Sequence, residues 1–102
     1  MRWLLALSTL AIPTLAAADT LTVGSGVGSC ATAFLPANRG VTRAWILGFW
    51  SGMNWEHSAQ VGSSTDNNGI VAEVEQSCGK APSFKLVIAV NYVYNEMAKA
   101  GR

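Results

Sequence analysis

Two cysteines, Cys30 and Cys78, constrain the fold of this 102-residue chain more than any other feature. The chain has no other cysteine, so only one intramolecular disulfide is possible. The chain-entropy model gives a bridge across a loop of this length about 4 kcal/mol of stabilisation. That is a large part of the stability of a small domain. We therefore predict a Cys30–Cys78 disulfide if the chain reaches an oxidising compartment.

The N-terminal residues predict export. Arg2 precedes the uncharged run WLLALSTLAIPTLAAA, whose three final alanines are the small residues that signal peptidase recognises. The apolar part, residues 3–15, is short for a membrane span, although an uncleaved anchor is the alternative. We predict a signal peptide at 1–18 and one exported domain at 19–102. If the source is a Gram-negative bacterium, the expected location is the periplasm, with no membrane association after cleavage.

The exported part carries no net formal charge. Only Arg2 of the seven basic residues lies in the leader, whereas all six acidic residues follow it. Nucleic acid is excluded as a partner, because phosphate binding needs a basic excess. A domain this short buries a marginal core, which agrees with a need for a disulfide.

The first predicted helix, residues 42–55, is apolar around most of its circumference. Such a helix lies at the centre of its own core or is shared with a second subunit. Gly48 and Gly52 would let another backbone approach closely, through internal packing or in a homodimer. The apolar side chains of this helix are Trp45, Ile46, Phe49, Trp50 and Met53.

The second predicted helix follows a loop and ends near the second cysteine. Thr65 is the expected N-cap, and Asp66 would favour the positive end of the helix dipole. Val74 and Cys78 share the apolar side of this helix, which turns the cysteine inward. Gly79 is expected to end the helix in the left-handed conformation.

The third predicted helix covers residues 83–101 and closes at Gly101. Its run LVIAVNYVY is β-branched and aromatic, which would also suit a strand. Sustained helical spacing favours a helix with one polar and one apolar side. The apolar stripe is Leu86, Val90, Val93 and Met97, and the polar side is Asn91, Asn95 and Lys99. The chain is therefore predicted to be all-α, a bundle of about three to four helices with one disulfide.

No catalytic or metal-binding pattern is recognisable. The segment VGSGVGSC lacks the spacing of a phosphate-binding loop and predicts an extended lead-in to Cys30. His57 beside Glu56, in a predicted loop, is more typical of a solvated surface than of acid–base chemistry. Serine in FWSGM lacks the first glycine of a nucleophile elbow, and the cysteines lack zinc-ligand spacing. We therefore predict a protein that is not an enzyme and binds no metal or cofactor.

Four motifs follow one another along the exported domain. They are GSGVGSC before Cys30, AWILGFWSGMN at 44–54, TDNNGIVAEVEQSC at 65–78 and PSFKLVIAVNYVYNEM at 82–97. In this order they resemble the HdeA/HdeB-like family of small periplasmic acid-stress chaperones. The resemblance covers most of the domain. It implies a small disulfide-bridged helical bundle that binds acid-denatured periplasmic proteins.

On this interpretation, acid exposes the surfaces that bind clients. Protonating every carboxylate and the histidine takes the side-chain charge of the exported part from 0 to +7, and repulsion then opposes the compact state. The predicted pH-sensing residues are His57, Asp66, Glu73, Glu75 and Glu96. The predicted client-binding residues are Trp45, Ile46, Phe49, Trp50, Met53, Val90 and Val93.

A second interpretation is an exported binding module. The motif GFWSGMN is also similar to the glycine-spaced first helix of Rap-type immunity proteins, small exported antitoxins that neutralise a secreted effector. Such a protein binds one partner at neutral pH rather than many unfolded ones in acid. A structural subunit without chaperone activity is a third possibility, and the sequence does not separate the three.

Overall fold

The structure, a computed structural model, describes residues 20–102; the predicted signal peptide at 1–18 lies outside them. The described chain is all-α, as predicted, and none of its helices is long and apolar enough to cross a membrane. Its α-helices are α1 (Cys30–Ala33), α2 (Arg39–His57), α3 (Asn67–Lys80) and α4 (Leu86–Lys99). Two short 3₁₀ turns, Gly24–Val27 and Pro36–Asn38, precede α1 and α2.

The core lies where α2, α3 and α4 meet. The stripe predicted for the third helix is buried, and its predicted polar side is exposed. The run LVIAVNYVY is helical because its buried positions recur every three or four residues, which leaves the other side of a helix free for water. The buried core includes Ile46, Trp50, Val74, Leu86, Val90, Val93 and Met97.

The predicted Cys30–Cys78 disulfide is confirmed. It joins α1 to the last turn of α3, with the two Cα atoms 5.2 Å apart. Both cysteines are buried, and Cys78 shares the inner side of α3 with Val74. The bridge therefore fastens the short α1 to the core.

Helix α2 is longer than the sequence pattern predicts. It begins at Arg39 directly after a 3₁₀ turn and ends with His57, so Glu56 and His57 belong to the helix rather than to a loop. Ser58 ends it in the left-handed region at a φ of 51°. No glycine or proline stands between Trp55 and Ser58, so nothing in the local sequence stops the helix earlier.

Two predicted ends of the second helix are wrong. Asp66, not Thr65, is the N-cap of α3, and its carboxylate accepts a 2.8 Å hydrogen bond from the backbone N–H of Gly69. Gly79 lies inside the helix, which continues to Lys80. The helix stops there because the next residue precedes Pro82, and a proline disfavours helical geometry in the residue before it. The third predicted helix, expected to close at Gly101, ends at Lys99, and Gly101 follows with a positive φ of 72°.

The glycine-rich segment is not an extended lead-in. Gly24–Val27 forms a 3₁₀ turn that packs on α2, where Trp45 Nε1 donates a 2.9 Å hydrogen bond to the carbonyl of Val23. A Cβ atom at Gly26 would overlap the indole ring of Trp45. Glycine is therefore needed here for close approach of an aromatic ring.

Candidate functional site

Two carboxylates of helix α3 form ion pairs with residues outside the helix. Glu75 accepts hydrogen bonds from both terminal nitrogens of Arg39 in α2, at 2.9 and 2.7 Å. Glu73 forms an ion pair with Arg102, which follows α4. Among residues 20–102, the ion pairs that join separate elements are these two. Both depend on a carboxylate of α3.

The Arg39–Glu75 pair responds to pH. Hydrogen bonding from the guanidinium lowers the pKa of Glu75, and the same bond raises the pKa of Arg39. The pair is therefore intact at neutral pH and is lost when acid protonates the carboxylate. The Glu75 side chain is 41% exposed, so solvent screens the attraction and keeps it modest.

The other predicted pH-sensing residues have different surroundings. Asp66 caps the first turn of α3, so it acts on the same helix as Glu73 and Glu75. Glu96 pairs at 3.0 Å with a lysine three residues later in α4. His57 is the exposed last residue of α2. Three of the five predicted residues therefore belong to α3 or to its N-cap, at separate positions.

The predicted client-binding residues belong mostly to the core. Ile46, Trp50, Val90 and Val93 are buried, and Trp45, Phe49 and Met53 are partly buried against the same core. The single chain therefore covers most of the surface that suggested a shared helix. In the folded state these side chains are not available to a client.

A hydrogen-bond network around Asn54 was not predicted. Its side-chain amide makes two bonds with the backbone of Val61, at 3.0 and 3.1 Å, and its Oδ1 accepts a 2.8 Å bond from the hydroxyl of Tyr94. Trp50 Nε1 donates to the same Val61 carbonyl at 2.8 Å. Burial raises the pKa of the Tyr94 phenol, which therefore stays a donor. The network fixes the loop after α2 against α2 and α4.

The glycine pair of α2 contacts no other part of the described chain. A Cβ atom at Gly48 or at Gly52 would meet no atom within 4 Å. The expectation of internal packing against these glycines is therefore wrong for residues 20–102. Their side of α2 points away from the core residues Ile46 and Trp50.

The uncovered side of α2 is continuous along the helix. It includes Trp55, which is 86% exposed. A row of small residues at every fourth position marks this side of the helix in the sequence. The many apolar residues around the helix made that row hard to recognise. We call this side the α2 face and define it by Gly40, Val41, Ala44, Gly48, Ser51, Gly52 and Trp55, all exposed.

Helix α4 also exposes apolar side chains. Ile88 and Tyr92 lie one turn apart on its outer side, and Phe84 lies in the turn before the helix. Each is about half exposed. We call these three exposed residues the α4 stripe.

No charged side chain lines the groove beside α2 in residues 20–102. A groove of about 430 Å³ between α2 and the loop before α3 is lined by neutral side chains, among them Ser51, Asn54, Gln60 and Asn67. The described residues bring no three His, Cys, Asp or Glu side chains close enough to hold a metal. No family model, curated protein or solved structure matches the chain. Function has to be inferred from the side chains described above.

Proposed function

We propose that this protein is an exported acid-stress chaperone in which low pH loosens helix α3. The supporting observation is that the acid-sensitive contacts between elements converge on this helix. Glu73 and Glu75 make its ion pairs to other elements, and Asp66 caps its first turn. Loss of the two ion pairs removes contacts that hold α3 to Arg39 of α2 and to Arg102.

Loosening of α3 uncovers apolar surface on α4. Helix α3 packs chiefly against α4, with Val74 fully buried in the shared core. The side of α4 that faces this core carries Val90, Val93 and Met97. Two of these are among the residues proposed to bind clients. Apolar segments of acid-denatured proteins would bind here.

The disulfide limits the movement. Cys78, near the C-terminal end of α3, stays bonded to Cys30 at any pH, because a disulfide does not titrate. The N-terminal end of α3, capped by Asp66, has no covalent cross-link to the rest of the described chain. We therefore expect α3 to move about its disulfide-linked end and to return on neutralisation.

Acid also changes the net charge. The net side-chain charge of the exported part rises by seven units when its six carboxylates are neutralised and its histidine is protonated. Exposed ion pairs are individually weak, so this repulsion acts together with their loss to loosen the fold. The same charge would keep complexes with clients apart and soluble.

Suppression of acid aggregation tests the proposal. A periplasmic extract is taken to about pH 2–3, where most carboxylates are protonated, with the protein at several ratios. We expect the pelleted fraction of extract proteins to fall as the ratio rises. The same extract, heated at pH 7 until it aggregates, serves as the control and should gain no protection. A pellet that is unchanged in acid at every ratio would exclude chaperone activity.

A second candidate function is binding of one folded protein at neutral pH, as in an immunity protein. The α4 stripe favours it, because Phe84, Ile88 and Tyr92 are exposed without any acid-induced change. Affinity capture at pH 7 with wild type and with Ile88→Asp tests this candidate. A stoichiometric partner that the variant loses would support it. Equal capture by both proteins would exclude the α4 stripe as the binding site.

A further inference from the structure

We propose that the groove beside α2 binds a neutral oligosaccharide, with one sugar ring stacked on Trp55. The groove has a volume of about 430 Å³, which lies in the usual range of small-ligand sites, roughly 300–1,000 Å³. A second concavity of about 310 Å³ is lined by Trp55 and Ser58 and shares Asn54 and Ala59 with the groove. The two concavities therefore form one continuous site. Both exist in the folded chain, so the proposal does not depend on the loosening of α3.

The loop after α2 is a wall of the groove that is fixed before a ligand arrives. The side-chain amide of Asn54 holds the backbone N–H and carbonyl of Val61, at 3.0 and 3.1 Å. Trp50 Nε1 donates a further bond to the same carbonyl at 2.8 Å. The next residue, Gly62, is buried with a φ of 97°, and a Cβ atom there would lie 3.0 Å from Trp50 Nε1. A preformed wall loses little conformational entropy on binding, which favours affinity.

The polar side chains of the groove match the hydrogen-bonding pattern of a sugar. Ser51 of α2, Gln60 and Ser63 of the loop and Asn67 of α3 line the groove, and all four are exposed. Hydroxyl and amide groups each offer donors and acceptors. Sugar hydroxyls also donate and accept. These side chains can therefore exchange their bonds with water for bonds with a saccharide.

Charge argues against other ligand classes. In the described residues, all the side chains that line the two concavities are neutral. A phosphate, carboxylate or ammonium group would give up its hydration here without meeting an opposite charge. A wholly apolar ligand would cover hydroxyl and amide groups and leave them without partners. The lining therefore suits a neutral ligand that is rich in hydroxyl groups.

Trp55 favours a ring-shaped sugar over an open-chain polyol. A pyranose ring has an apolar face of C–H groups and a rim of hydroxyls, so it can stack on an aromatic ring while its rim forms hydrogen bonds. The Trp55 side chain is 86% exposed and provides a large apolar surface. Ser51 precedes it by four residues in α2, which places the two side chains one turn apart, with about 5–6 Å between Cβ atoms. One sugar ring on Trp55 would thus adjoin a second ring in the groove.

Titration at pH 7 with neutral trisaccharides tests the proposal. The probes are cellotriose, maltotriose and the trimer of N-acetylglucosamine, followed by tryptophan fluorescence and by amide chemical shifts. We expect saturable binding of at least one probe in the millimolar range, because an open groove covers only part of its ligand. Sorbitol, which has hydroxyls but no ring face, should bind about tenfold more weakly or not at all. The trimer of galacturonic acid should behave likewise, since its carboxylates meet no cation in the site.

Two variants locate the site. Trp55→Ala should weaken binding about tenfold and should fold, because the side chain it removes is largely exposed. Ser51→Leu should abolish binding, because its larger side chain occupies the groove, and the exposed helical position tolerates leucine. Tyr92→Ala is the matched control, since Tyr92 is an exposed aromatic residue of α4 outside both concavities, and it should bind like wild type.

Three results would each overturn the proposal. They are failure of wild type to bind any of the neutral trisaccharides, equal binding of sorbitol or of the acidic trimer, and unchanged affinity in Trp55→Ala or Ser51→Leu. All measurements use the folded protein at neutral pH. They are independent of aggregation in acid, so the chaperone proposal is tested separately.

Discussion

Glu75 of α3 accepts two hydrogen bonds from the guanidinium of Arg39 in α2, at 2.9 and 2.7 Å. The two residues are 36 positions apart in the chain, so the bond joins separate helices. It holds only while Glu75 is ionised. Glu73 also pairs from α3 with a residue outside the helix, so both ion pairs between separate parts of residues 20–102 involve α3.

Glu75→Gln should lower stability at neutral pH and leave it unchanged in acid. The folded-state pKa of Glu75 is lowered, so its contribution is complete above the unfolded-state pKa and disappears as pH falls through the folded-state value. Since glutamate ordinarily titrates near pH 4.3, the difference from wild type should be full above about pH 5 and decline below about pH 4. Urea unfolding at pH 7, 5 and 3 measures it. Glu96→Gln, whose ion pair lies within α4, is the control for the loss of one charge. A Glu75→Gln deficit of equal size at pH 7 and pH 3 would show that the ion pair is not its cause.

Removal of the disulfide should be the most damaging change to the fold. The double variant Cys30→Ala, Cys78→Ala should lose about 4 kcal/mol of unfolding free energy, because the unfolded chain regains the entropy of its closed loop. Chemical denaturation at pH 7 measures the loss. Mass spectrometry of the unreduced wild type should detect no free thiol. A loss below about 1 kcal/mol would mean that the bridge does not carry the expected share of stability.

Gly26→Ala should destabilise the protein by about 1–3 kcal/mol, because the new methyl group displaces the indole of Trp45. Gly28→Ala is the matched control from the same segment. Its Cβ would lie 3.6 Å from the carbonyl oxygen of Ser25, an ordinary contact, so a small effect is expected. Thermal unfolding of the two variants compares them. Equal destabilisation would argue against packing of Trp45 as the reason for the glycine.

Asn54→Ala should cost roughly 2–3 kcal/mol, since it leaves the N–H of Val61 and the hydroxyl of Tyr94 without their acceptor. Tyr94→Phe removes one of the two donors and leaves the loop bonds in place, so about 1 kcal/mol is expected. Urea denaturation of both variants gives the comparison. If the two variants lose the same amount, the amide of Asn54 does not anchor the loop.

The helices could be predicted because helical spacing is a local pattern in the sequence. The disulfide could be predicted because the number of cysteines limits the possible pairings. The buried spacing of Val90 and Val93 identified the third helix despite its strand-like composition. With two cysteines in the chain, the pairing had one solution. Helix ends were less predictable, because neighbouring residues such as Thr65 and Asp66 compete for the same cap.

The surfaces of α2 could not be assigned from its sequence. Apolar residues surround most of this helix, so the pattern does not say which side faces the core. Contacts from distant parts of the chain decide which side is covered. Trp45, for example, is covered by the glycine-rich turn and donates a hydrogen bond to Val23, which lies 22 residues earlier. The same contacts leave Trp55 exposed.

The pH at which protection of clients begins tests the loosening of α3 most directly. The measurement is aggregation of a periplasmic extract across a pH series, with wild type and with Glu73→Gln, Glu75→Gln. Glutamine resembles a protonated glutamate in shape and cannot ionise, so the variant has lost both ion pairs of α3 at every pH. We predict that its protection begins at a higher pH than that of wild type, and that Glu96→Gln leaves the onset unchanged. The same onset in wild type and the double variant would contradict the account.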